Sequence, residues 1–163
     1  MKVLKIVGIT IGLLIGAYYL AFGVLYLAGY RIYRIPTTSM QPTIRYREIV
    51  IGRVSESYRD RLQRFDLAIY RFPQASGQMY VKRIIGLPGE RITVDSGGVQ
   101  INRRQISLPP AVSASDLGLQ KCDIVLPADA VFLLGDNTSN SVDSRFHGPV
   151  PTKDVIGYLV FKK

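Results

Sequence analysis

Met79-Tyr-Val-Lys-Arg-Ile-Ile-Gly-Leu-Pro-Gly-Glu90, MYVKRIIGLPGE, sets one lysine inside an apolar, β-branched run that stops at Leu-Pro-Gly. Such a run reads as a strand, with Lys82 on the face of Tyr80 and Ile84 and with Val81 and Arg83 on the other. Six further runs share its character: Glu48–Val54, Asp66–Phe72, Arg91–Val94, Val99–Asn102, Ala130–Leu134 and Val155–Phe161. Turn residues separate them. Asp95-Ser-Gly-Gly98 reads as a hairpin loop, and Leu87-Pro-Gly89 and Gly148-Pro-Val-Pro151 are breaks. Only Glu56–Arg64 has a polar, helical flavour, and the Ser-rich stretch Arg103–Asp123, with Pro109-Pro110, is expected to be an irregular, mobile loop. No repeat or low-complexity segment is present, so the expected fold class is mainly β, in one compact domain.

That domain has a preface. The run from Ile6 to Gly29 holds no charged residue, and as a helix at ~1.5 Å per residue it extends about 36 Å against a hydrocarbon core of ~30 Å. The competing reading is a cleaved secretory signal, since Lys2 and Lys5 precede the run and Ala17, Ala21 and Ala28 are small. A secretory apolar core is usually about 7–15 residues long, and Tyr30-Arg-Ile-Tyr-Arg34 follows this one in the manner of an interfacial aromatic and basic belt. The expected organisation is therefore a tail over 1–5, a transmembrane anchor over 6–29 and a β domain over 30–163, with a short insertion around 95–129. Gly8, Gly12 and Gly16 recur at the spacing of a helix-packing face, although glycine is also simply common in membrane helices.

Charge narrows the partners. Taking Lys2 and Lys5 from the 21 basic residues leaves 19 against 12 acidic ones, a balance that suits a domain tethered beside anionic lipid. The basic residues are scattered without a nucleic-acid-binding motif, so no nucleic-acid partner is expected. Positive residues flank both ends of the apolar run, Lys2 and Lys5 on one side and Arg31, Arg34, Arg45 and Arg47 on the other, and charge alone does not orient it. The single Cys122 excludes an internal disulfide and has no cysteine or histidine at metal-ligand spacing; neither metal nor cofactor is expected.

A second stretch, Pro36-Thr-Thr-Ser-Met-Gln-Pro-Thr43, places four hydroxyl residues shortly after the apolar run. A serine hydroxyl needs a base, and the only histidine is His147. A desolvated lysine can serve instead. Its ordinary pKa of about 10.4 falls by several units when the amine is buried among apolar groups, and Lys82 sits in such a run.

Together, PTTSMQPT, YVKRIIGLPGE and Gly135–Arg145, GDNTSNSVDSR, in that order after an N-terminal anchor, resemble the successive motifs of bacterial type I signal peptidases. These are membrane-bound serine proteases that remove signal peptides from exported proteins, and the resemblance covers essentially the whole chain. It implies a signal-peptidase-like β catalytic domain with Ser39 as nucleophile and Lys82 as general base. It implies an oxyanion hole from the Ser39 N–H and the Thr37 hydroxyl, where many relatives carry serine. Ser141 matches a serine that orients the lysine amine, and Asp143 and Arg145 match a pair that holds this region in shape. Gly135, Asp136 and Asn137 read as a structural turn. Glu90 stands where aspartate is more frequent, and the roughly 50 residues between Lys82 and Gly135 imply the compact form of the fold.

An extended peptide can bind such an enzyme as an added strand. The resemblance implies pockets for small residues at the first and third positions before the cut, lined by Tyr33, Ile35, Pro36, Met40, Tyr80 and Val81. It also implies a single-pass protein of the plasma membrane whose catalytic domain faces the outer side. Two alternatives share the sequence: a specialised maturation peptidase of the same superfamily, such as one processing conjugation pilin, and a non-catalytic anchored β domain. The second would lack Ser39 or Lys82, and both are present.

Overall fold

The computed structural model describes residues 2–72, 78–113, 117 and 120–160. A helix, α1, runs over Lys2–Leu27. Its segment Lys5–Leu27 has a mean hydropathy of 2.0 and none of its most apolar window is buried by the rest of the chain, so it is long and apolar enough to cross a membrane. The helix stops where Gly29 takes φ 88°, a conformation that favours glycine, at a point where any Cβ would collide with the Val54 carbonyl. Arg31 then covers the helix end. Its Nη1 donates to the carbonyls of Tyr26 (2.7 Å) and Tyr30 (2.8 Å), and the guanidinium lies 3.6 Å from the centre of the Tyr26 ring.

Eleven strands follow among the described residues: β1 (Tyr30–Arg34), β2 (Ile49–Val54), β3 (Leu67–Arg71), β4 (Met79–Gly86), β5 (Arg91–Asp95), β6 (Gly98–Ile101), β7 (Arg104–Gln105), β8 (Cys122–Val125), β9 (Ala130–Leu134), β10 (Val150–Pro151) and β11 (Val155–Leu159). The expected interfacial belt at Tyr30–Arg34 is thus a strand, paired antiparallel with β2 from Tyr30↔Arg53 to Arg34↔Ile49. Backbone pairing there outweighs the aromatic and basic composition. The Glu56–Arg64 segment forms a 3-10 helix over Glu56–Arg61.

A seven-stranded sheet runs β1-β2-β11-β3-β4-β9-β10 and a four-stranded one runs β7-β6-β5-β8. The anticipated insertion is therefore structured: its strands pair with β5 into the second sheet. The expectation of a mobile Arg103–Asp123 loop is corrected in part, since Arg104–Gln105 and Cys122–Asp123 lie in strands and Val112 and Leu117 are buried; residues 114–116 and 118–119 lie outside the described residues. Between β5 and β6 a two-residue turn is held by the Gly97 N–H donating to Asp95 Oδ1 at 2.7 Å.

Strand β4 is central, and both its faces are buried from Lys82 to Gly86. Ala68, Tyr70, Ile84, Val131 and Leu133 pack together on the face of Lys82, while Leu67 and Ile69 pack with Ile35, Met40 and Ile44 in a separate cluster against Val81. The second sheet closes a third cluster in which Ile92, Val94 and Val99 meet Ile85, Phe132 and Leu134. Each fully buried aliphatic side chain contributes about 1.5–3 kcal/mol, so the strand that carries Lys82 is among the most firmly held parts of the fold.

Candidate active site

Alternation along β4 points Lys82 inward opposite the small Ala68 of β3, to which it is paired. The side chain is driven into the core by its apolar neighbours and is 3% exposed. Its amine donates to Ser39 Oγ at 2.6 Å, the contact through which a neutral amine would instead accept the hydroxyl proton. Burial lowers the Lys82 pKa from 10.5 to about 8; the carboxylates of Asp143 and Asp136 oppose that fall and Arg145 adds to it.

Ser39 lies in a turn between β1 and β2, and the loop after β9 fixes that turn. The Asn137 N–H donates to the Ser39 carbonyl (3.1 Å), Asn137 Nδ2 to the Thr38 carbonyl (3.2 Å) and Asn140 Nδ2 to Thr38 Oγ1 (2.7 Å). Gly135 is required by this closeness: a Cβ there would lie 2.7 Å from the Ser39 carbonyl oxygen and would also meet the Ser141 side chain. Thr37 Oγ1 stands 3.3 Å from Ser39 Oγ, on the solvent side of the nucleophile.

Two buried ion pairs brace the site. Asp143 and Arg145 have fully buried side chains joined at 2.9 Å; Asp143 Oδ2 accepts from the Gly135 N–H (3.0 Å), and an Arg145 Nη2 donates to the Thr138 carbonyl (2.7 Å). Arg83 Nε and Nη2 bind Asp136 at 2.7 and 2.6 Å, and Thr43, from the nucleophile turn, hydrogen-bonds the same carboxylate. Removing one partner of a fully buried pair strands the other. Asp143→Ala is expected to cost about 3–5 kcal/mol, read as a lowered denaturation midpoint of the detergent-solubilised protein. A change under about 0.5 kcal/mol, as at a surface site, would remove the bracing role.

Three further residues are placed by the structure. Ser141 Oγ, expected to hold the lysine amine, is buried without a hydrogen-bond partner among the described residues, and its side chain packs against Gly135. Met40, expected to line the substrate pocket, is 1% exposed, because the turn folds it under Ser39 into the core with Ile44 and Leu67. Asp136, read as structural, ties Arg83 to the nucleophile turn. That tie joins positions far apart in the chain, and sequence spacing carries no signal for it.

Two clefts meet at Ser39 and Lys82. The smaller, about 160 Å³, is walled by Tyr33, Ile35, Pro36, Tyr80 and Val81, as expected, and also by Ile69 and Met79. The larger, about 660 Å³, was not foreseen; it is walled by Tyr46, Tyr70, Phe72, Ser141, Phe146 and His147. Those residues come from three stretches far apart in the chain, and only the fold assembles them. His147, at the end of a short helix α2 (Ser144–His147), packs against Phe72 with ring centres 4.7 Å apart and ring planes tilted by 51°. Among the described residues no group of His, Cys, Asp and Glu could hold a metal ion.

A buried lysine amine against a serine hydroxyl, inside a β domain that follows a membrane-length helix, is the arrangement of a serine-lysine hydrolase. The chain belongs to the signal peptidase, peptidase S26, family: that family's sequence profile matches residues 8–162. It is 33% identical over 138 residues to signal peptidase I of Leptolyngbya laminosa, covering 78% of this chain and just under two thirds, 66%, of that protein. It is 30% identical over 142 residues to signal peptidase I V of Bacillus subtilis, covering 78% of this chain and 82% of that one. Among solved structures it resembles a signal peptidase I from Enterococcus faecalis, with 32% identity and a TM-score of 0.53 over 61% of this chain and 97% of the other.

Proposed function

We propose that this protein is a membrane-anchored serine endopeptidase that removes signal peptides from exported preproteins. The observation that carries the reading is the 2.6 Å contact between Lys82 Nζ and Ser39 Oγ, with an amine whose pKa burial holds near 8. Neutral Lys82 takes the Ser39 proton as Oγ attacks the carbonyl at the cut. The resulting oxyanion is met by the Ser39 N–H and the Thr37 hydroxyl, and the lysine ammonium then protonates the departing amine. Water, deprotonated by the same amine, releases the signal peptide from Ser39.

Recognition follows from an open strand edge. Met79–Lys82 of β4 pair with β3 on one side, whereas β9 begins to pair only at Arg83, so an extended peptide can add beside Met79–Lys82 and place alternate side chains in the smaller cleft. That cleft's 160 Å³ suits alanine-sized residues at the first and third positions before the cut. The chain is single-pass, and α1 holds the domain on the outer face of the plasma membrane, where translocated signal peptides emerge. Exposed Ile32 (67%) and Ile49 (68%) on β1 and β2 extend the helix's apolar surface toward the lipid.

The test is incubation of the detergent-solubilised protein with a preprotein carrying Ala-X-Ala before its signal boundary, followed by sequencing of the new N-terminus. Cleavage after the final alanine, lost in Ser39→Ala, is the expected result; an intact preprotein, or cutting elsewhere, overturns the reading. A panel of unrelated preproteins separates a general enzyme from one dedicated to a single client. If Thr37 donates to the oxyanion, Thr37→Val is expected to lower kcat about 10²-fold with KM little changed, while Thr37→Ser is tolerated. Equal losses in both would mean that the residue only packs.

A further inference from the structure

We infer that the larger cleft selects the residue at the second position before the cut, and that it favours a large aromatic side chain there. The inference deepens the serine-lysine reading above and rests on it, since that reading seats the first and third positions in the smaller cleft.

The two clefts lie on opposite faces of one sheet edge. Alternation along β4 sends Tyr80 and Lys82 to one face and Met79 and Val81 to the other. The paired residues of β3 share those faces: Tyr70, opposite Tyr80, stands with the larger cleft, and Ile69, opposite Val81, with the smaller. Phe72, whose N–H donates to the Gln78 carbonyl at 3.2 Å, continues the Tyr70 side. A peptide that adds beside Met79–Lys82 extends the sheet and inherits its period of two. If its first and third side chains enter the smaller cleft, the second must point to the other face. The larger cleft opens there, and both clefts reach the same Ser39 and Lys82.

Size and chemistry define the guest. The 660 Å³ of the larger cleft is about four times the 160 Å³ of the smaller, far more than an alanine fills. Six rings line it, those of Tyr46, Tyr70, Phe72, Tyr80, Phe146 and His147. Phe72 already meets Tyr80 edge to face, with centres 5.7 Å apart and planes at 73°. Tyr46 and Phe146 are 50% and 54% exposed, so ring surface stays uncovered that a guest ring can meet in the same geometry. Among the described residues no carboxylate or guanidinium lines the cleft, and Lys82 must be neutral to act, so a charged guest finds no partner in the working enzyme.

The experiment uses the full-length, detergent-solubilised protein and quenched peptides that differ only before the cut. Wild type is expected to cleave Ala-Phe-Ala at least about fivefold faster than Ala-Ala-Ala, as kcat/KM, a modest share of what burying a whole aromatic side chain yields, and Ala-Lys-Ala no faster than Ala-Ala-Ala. Phe146→Ala and Tyr46→Ala, on separate segments, are each expected to lower the first ratio at least about twofold, while Phe146→Tyr, which keeps the ring, preserves it. A ratio of one in wild type, a lysine peptide cleaved as fast as the phenylalanine one, or a ratio that both alanine variants leave unchanged overturns the inference. Two controls expose a failure of the reading beneath it: phenylalanine moved to the first or third position must block cleavage, and Ser39→Ala must be inactive on every peptide.

Discussion

Lys82→Met is expected to abolish cleavage while leaving the protein folded and no less stable than wild type at neutral pH. Catalytic groups that act as a unit each cost nearly the whole rate enhancement they share, so a loss of about 10⁴-fold or more is expected here and in Ser39→Ala. Holding the amine at about 8 against its ordinary 10.5 corresponds to about 3 kcal/mol of disfavoured charge, present at pH 7 and relieved as pH rises through the interval between those values. Methionine removes that cost and fills similar volume, against the loss of one hydrogen bond to Ser39, about 1 kcal/mol. A dead variant that unfolds at the wild-type temperature or above therefore separates chemistry from collapse. Lys82→Arg and Lys82→His are expected to be inactive too, since guanidinium keeps its proton and imidazole is too short. Full activity in either Lys82→Met or Ser39→Ala would sink the dyad.

The proposed dyad was legible in two ways: Ser39 was singled out from a hydroxyl-rich stretch only by the resemblance to type I signal peptidases, whereas Lys82 stands out in a strand with apolar alternation. The seven apolar runs became strands for the same reason, with ends within a few residues of expectation. Segments whose structure depends on distant partners were hidden. Tyr30–Arg34 looks interfacial by composition, and only its register with Arg53–Ile49 makes it a strand. Cys122–Val125 follows an irregular stretch and becomes a strand by pairing with Arg91–Val94. Met40 beside the nucleophile reads as a pocket residue, yet the direction of the turn buries it. The larger cleft is the extreme case, since Phe72 and His147 are brought ring to ring by elements far apart in the chain.

The pH dependence of kcat/KM is expected to rise along a single limb with its midpoint near 8. Lys82 acts only when neutral, and burial favours the neutral form; the pull of Asp143 and Asp136 toward the charged form is outweighed, with Arg145 helping. With a midpoint at 8, only about one amine in a hundred is neutral at pH 6 and one in a thousand at pH 5, so activity falls about tenfold per pH unit below 7. His147 is held below its ordinary 6.5 by burial, and a histidine base would put the limb at or below that value. Circular dichroism at pH 6 should still report the β domain, braced by the buried ion pairs Asp143–Arg145 and Asp136–Arg83, so that the fall in rate is chemistry and not unfolding. A limb centred near 6.5 that shifts in His147→Gln would make His147 the base; a limb near 8 that disappears with Lys82 assigns the proton to the buried amine.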